Sequence, residues 1–127
     1  MIRYLSAALL LVGATAAFAA QPIAGRWLTA DGSAVVAIGP CGPTLCGKIV
    51  RVLKVSAGPD GAVKARQAIG VVILAGLVPD GDGWKGSVLD PKSGKKYNAR
   101  VTRDGGKLNV QGCVSVFCKT LVWTATR

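Results

Sequence analysis

The chain has 127 residues and a formal net charge of +10, with 16 Lys and Arg against 6 acidic residues, all of them Asp. It has no His and no Glu, so the commonest general base and a common metal ligand are missing. That composition excludes most acid–base and metal-dependent chemistry, and no enzyme, metal or cofactor is expected.

Residues 1–19 read as a secretory signal. Arg3 supplies the positive start, Leu5 to Val12 is apolar but for Ser6, and Ala17-Phe18-Ala19 is the small-x-small pattern that signal peptidase reads. Cleavage is expected after Ala19 or Ala20, with release to the periplasm or beyond. No Cys follows the cut, so no lipid anchor is expected. No later stretch is long enough to span a bilayer as a helix, Val71–Val78 being too short. Residues 20–127 then form one domain, since roughly 107 residues suit a single core. Loss of Arg3 takes the charge from +10 to +9. A basic exported surface suits anionic partners.

Turn signals recur at short intervals: Asp31-Gly32, Gly39-Pro40, Pro59-Asp60-Gly61, Pro79 to Gly83, Ser93-Gly94 and Asp104-Gly105-Gly106. Runs rich in Val, Ile, Leu and Thr lie between them. This rhythm predicts an all-β sandwich or barrel. Strands are expected near 24–30, 33–39, 45–54, 70–78, 84–90, 95–103, 107–113 and 117–126.

The first strand opens with Gly25-Arg26-Trp27 and the chain ends at Arg127. If first and last strands pair, the sheet loses its free edges and closes. Arg127 over Trp27 would then make a cation–π contact worth about 0.5–2 kcal/mol. Gly25, Trp27 and Arg127 are therefore the expected closure residues.

Four Cys in an exported chain predict disulfides, and they form two pairs of equal spacing, Cys41/Cys46 and Cys113/Cys118. A hairpin loop at Gly42 to Leu45 would set Cys41 and Cys46 directly opposite each other. Val114 to Phe117 reads as strand, and extended it would hold Cys113 and Cys118 too far apart. Either a loop or bulge falls there, or the two clusters pair with each other. Two local bonds are favoured. Structural zinc wants closer spacing, and neither pair has the Cys-x-x-Cys form of a redox site.

Residues 55–69 break the strand rhythm. Asp60 to Ala68 suits one or two helical turns with Lys64 and Arg66 outward. This longest connection is either a lid or a plain crossover. Val71 to Leu74 is continuously apolar and suits a strand buried on both faces. Alternation is cleanest later. Tyr97, Ala99 and Val101 share one face of a strand, and Lys96 and Arg100 share the other. In the last strand Leu121, Trp123, Ala125 and Arg127 fall together. Tyr97 points away from the basic face, so the aromatic interleaving of single-strand nucleic-acid binders is absent, and no nucleic acid is expected. Gly94-Lys95 lacks the flanking residues of a phosphate loop.

The ordered set Gly25-Arg26-Trp27, Cys41-Gly42, Leu45-Cys46-Gly47-Lys48-Ile49-Val50, Trp84-x-Gly86, Asp90-Pro91-x-x-Gly94-Lys95-x-Tyr97, Gly112-Cys113 and Trp123-x-x-x-Arg127 resembles a family of small exported bacterial proteins of unknown function. The resemblance implies a lipocalin-like, antiparallel up-and-down barrel of about eight strands. It also implies that Gly25, Trp27 and Arg127 carry a structural contact. The chain departs from the family pattern in a shortened 55–69 loop and in Leu89, where an aromatic is usual.

An eight-stranded barrel is either filled by side chains or holds one small ligand. Trp27, Trp84, Tyr97 and Trp123 are the candidate liners for a small apolar or amphipathic molecule. Lys96 and Arg100 are the candidates for docking on anionic lipid or glycan.

Overall fold

The computed structural model describes residues 19–127, so the expected signal segment lies almost wholly outside the described residues. Eight strands follow in chain order: β1 (Gly25–Leu28), β2 (Ala34–Cys41), β3 (Thr44–Val52), β4 (Val72–Asp80), β5 (Gly83–Leu89), β6 (Lys96–Asp104), β7 (Lys107–Val114) and β8 (Phe117–Thr126). One helix, α1 (Gly61–Ala68), sits between β3 and β4 and packs on β3. Each strand pairs antiparallel with its sequence neighbour. The barrel closes through β1 and β8, with Arg26 opposite Thr126, Trp27 opposite Ala125 and Leu28 opposite Thr124.

The strands form where period-two patterning puts apolar residues on one face. Ala99 and Val101 of β6, Leu108 and Val110 of β7, and Trp123 of β8 are buried. Their polar neighbours Lys96, Asn98 and Lys107 are exposed. The continuously apolar run behaves differently from expectation. Ile73 and Leu74 are buried, but Val72 faces solvent. β4 therefore has a wet outer face like the other strands, and its irregular register at β3 brings two successive residues inward.

Up-and-down connectivity sorts the turns into two ends. The β2–β3, β4–β5 and β6–β7 turns lie at one end, with the segment before β1. That segment is a strap across the floor. Three successive carbonyls of it accept hydrogen bonds: Gln21 from Trp84 Nε1 at 2.9 Å, Pro22 from Arg103 at 2.8 Å, and Ile23 from Trp27 Nε1 at 2.9 Å. The Ile23 side chain is fully buried beneath it. Gln21 is the first or second residue after either expected cleavage point, so the strap is the start of the expected mature chain.

Both local disulfides form. The first differs in register from expectation. Gly42-Pro43 makes a two-residue turn, so Cys41 opposes Thr44 and Cys46 opposes Gly39. The two Cys are thus diagonal neighbours, with Cα atoms 5.7 Å apart. In the second, Val114 to Phe117 is no extended strand. Ser115 takes a φ of 54°, and Ser115-Val116 turns the chain. Cys113 and Cys118 become directly opposed, with Cα atoms 4.1 Å apart. A two-residue hairpin requires positive φ at its first central position, which Gly or Asn usually supplies. Serine there hid the turn from the sequence reading.

Candidate functional site

The barrel interior divides into a packed floor and a hollow upper half. In the floor, Ile23, Trp27, Leu77, Val101 and Leu108 belong to the core cluster. The guanidinium over Trp27 is that of Arg103, 5.3 Å from the ring centroid. The expected partner, Arg127, follows the last strand and is exposed. Arg103 lies at the floor end of β6 in alternation with Ala99 and Val101, so its side chain starts from the inner face. There it reaches both the indole and the Pro22 carbonyl. Gly25, with φ 141°, pairs with Ile38 of β2, while the closing pairs to β8 begin at Arg26.

Above the floor is a cavity of about 750 Å³, half open to solvent. Its wall is mainly apolar, with Val36 from β2, Ile49 from β3, Ile73 from β4, Val88 from β5, Val110 from β7 and Leu121 from β8. Of the four candidate liners, Tyr97 and Trp123 line it. Trp27 and Trp84 do not. Trp27 is sealed in the floor, and the Trp84 indole is turned to the strap. Small inner residues leave the upper space unfilled, Ala34 and Gly112 among them. None of residues 53–71 lines the cavity, so the long crossover is no lid over it in this conformation. Instead it is tied to the wall, since Gly70 N donates to Ile49 O at 2.7 Å and Ile49 N donates to Val71 O at 3.0 Å.

Lys119 is a charged liner that the sequence reading missed. It alternates with Leu121 and Trp123 on β8, so extending that face by one step would have found it. Lys92 stands at the mouth from the β5–β6 turn, and Tyr97 supplies a phenol. The cavity thus has an apolar body with a few polar groups toward its open end, as small-molecule sites commonly do.

Two mouth carboxylates serve their own turns. Asp31 Oδ1 accepts from Ser33 N at 3.0 Å and from Thr29 Oγ1 at 2.9 Å. Hydrogen bonds from Ser33, then Thr29, and the charge of Lys54 lower its pKa from 3.8 to about 2. Asp90 Oδ1 accepts from Lys92 N at 2.9 Å. That backbone donor and then Ser93 hold the Asp90 carboxyl below its ordinary value. A carboxylate with a depressed folded pKa stabilises the fold above its unfolded pKa, and the effect fades as pH falls through the folded one. Asp31→Ala is therefore expected to cost about 1 kcal/mol or less at neutral pH, since the group is exposed. The gap from the parent should close between about pH 4 and about pH 2, as urea melts at several pH values will show.

Lys96 and Arg100 share the outward face of β6, as alternation requires, but they do not act as a pair. Arg100 binds Asp80 at 3.0 Å and Asp82 at 2.7 Å, at the floor end. Two carboxylates neutralise it. Lys96 lies at the other end, opposite Leu89.

A closed up-and-down barrel of eight antiparallel strands, strapped at one end and open on an apolar cavity at the other, is of the lipocalin type. The chain belongs to the family described as an uncharacterized protein conserved in bacteria, DUF2147, whose model matches residues 25–125. The solved structure of protein HP1028 from the human pathogen Helicobacter pylori, described as belonging to the lipocalin family, is similar in fold. Its TM-score is 0.66, with 19% identity and 84% of each chain covered. No curated protein matches the chain.

Proposed function

We propose that this is an exported, non-catalytic protein that binds a small apolar or amphipathic molecule in the upper half of its barrel. The observation that carries the reading is the half-open cavity of about 750 Å³ with its apolar wall. Such a wall attracts hydrocarbon, at about 2.5 kcal/mol per 100 Å² of ligand surface buried before ordering costs. Lys119 and Tyr97 give a polar end of the ligand something to meet. Export is supported by the residues 1–19 pattern and by two disulfides, which persist in oxidising compartments such as the periplasm. A carrier role without catalysis is supported by how four of the Asp residues are used. Asp31 and Asp90 brace turns, and Asp80 and Asp82 pair with Arg100.

The test is native mass spectrometry of protein recovered from its own cells, beside the Leu121→Trp variant. Leu121 is 42% exposed on the cavity wall, so an indole can fill the space without displacing core. Wild-type protein should carry a non-covalent small molecule. The variant should lose it by about tenfold or more while melting within a few degrees of the parent. Apo protein in both preparations, with no uptake of apolar dyes, would remove the reading.

A further inference from the structure

We infer that the β7–β8 turn is a membrane-contacting finger that seats the mouth of the barrel on an anionic phospholipid surface. Hairpin tips are normally polar. This one is Val114-Ser115-Val116-Phe117, and its apolar side chains stand in water. Val114 is 56% exposed, Val116 85% and Phe117 79%. The Cys113–Cys118 bond ties the two strands directly beneath the tip. Such a cross-link fixes the two strands of the tip to each other.

The surroundings of the tip say what covers it. Lys92 and Lys119 line the mouth beside Val114 and Phe117, and Lys96 shares a small groove with Val114 and Ser115. Lys95 is exposed in the adjoining turn. Asp31 and Asp90 also line the mouth and are ionised at neutral pH, so the four lysines outnumber two carboxylates and the rim is net positive. Among the described residues, none of these lysines is in an ion pair. An apolar tip that enters the headgroup–acyl boundary, ringed by cations that meet lipid phosphates, is complementary to an anionic bilayer. A protein groove would need no such ring, and a second copy of this basic mouth would be repelled. The inference is independent of the cavity's cargo, although the geometry would bring the opening to the lipid.

Flotation with vesicles tests it. One set is pure phosphatidylcholine, and the other contains about a third phosphatidylglycerol, a composition chosen for strong surface charge. The wild-type chain should float with the anionic set about tenfold more than with the neutral set, and salt should release it. Val116→Ser with Phe117→Ser should abolish flotation, whereas Lys92→Ala with Lys119→Ala should only weaken the preference for charge. If the doubly substituted tip disturbs folding, Phe117→Trp replaces it, and vesicles with brominated acyl chains should quench its added indole fluorescence. Leu121→Trp should still float, which separates this result from failure of the cavity reading. Equal flotation of wild type and tip variant, no flotation at low salt, or self-association through the tip in place of vesicle binding would each overturn the inference.

Discussion

Trp27→Ala should cost about 3–5 kcal/mol, a large share of the stability of a domain this size. The indole is 2% exposed, in contact with the deepest part of the core. Its removal leaves a cavity in the floor and an orphaned carbonyl on Ile23, whose hydrogen bond it makes at 2.9 Å. It also removes the surface on which Arg103 rests. The strap should loosen, so exchange of the Trp84 indole N–H, which donates to the Gln21 carbonyl, should accelerate before the barrel melts. Trp27→Phe separates the parts, because it keeps most of the area and loses the donor, at about 1–3 kcal/mol. Arg103→Met loses the cation–π contact, worth about 0.5–2 kcal/mol, and the bonds to Pro22 and Gly105. Arg127→Ala should move stability by less than about 0.5 kcal/mol, as for an ordinary surface site. Urea titration of the four variants reads the whole pattern. Equal losses for Arg103→Met and Arg127→Ala would contradict this floor.

Among the glycines of the strands, Gly86→Ala should be the costliest addition of one methyl group, at about 3 kcal/mol or more, the upper range for overpacking. Gly86 lies on the inner side of β5, opposite Ala99. A Cβ there would collide with the carbonyl oxygen of Ala75 and sit 2.9 Å from Leu77 Cδ2. The carbonyl is brought there by β4, which is bulged between Ala75 and Val78 with Gly76 at φ 62°. Backbone cannot rotate away as a side chain can, so either strand must shift. Gly39→Ala is the matched control in β2, since a Cβ there meets nothing within 4 Å. It should be neutral or stabilising by about 0.5 kcal/mol, through the lost freedom of the unfolded chain. Thermal melts of both variants decide the matter, and a mild Gly86→Ala would show that the bulge is free to move.

Much of the barrel is legible in the chain because side-chain direction in a strand depends only on parity. Turn residues at short intervals mark where strands end, and period-two runs such as Tyr97 to Val101 mark what faces in. Helix α1 is legible for the same local reason. The missed features are those in which a residue's partner comes from a distant strand. Arg103 continues the inward parity of Ala99 and Val101, yet in sequence it sits among the lysines of a basic hairpin and reads as surface. Lys119 continues the parity of Leu121 and Trp123 and reads as one more exposed lysine. Arg100 reads as free charge because its two carboxylates lie on the β4–β5 turn.

Read alone, the amino acids mark eight strands and two equally spaced cysteine pairs, and they make closure depend on the first strand meeting the last. These follow from local conformational preference and from the need to satisfy sheet edges. Contacts between distant strands settle which arginine covers Trp27, and they place Trp27 and Trp84 at the floor and Tyr97 and Trp123 at the hollow. A hollow is the space left over when wall side chains fall short of the barrel axis. It therefore depends on the size of every inward residue at a given height, drawn from seven or eight strands at once, and no run of neighbouring residues carries that sum.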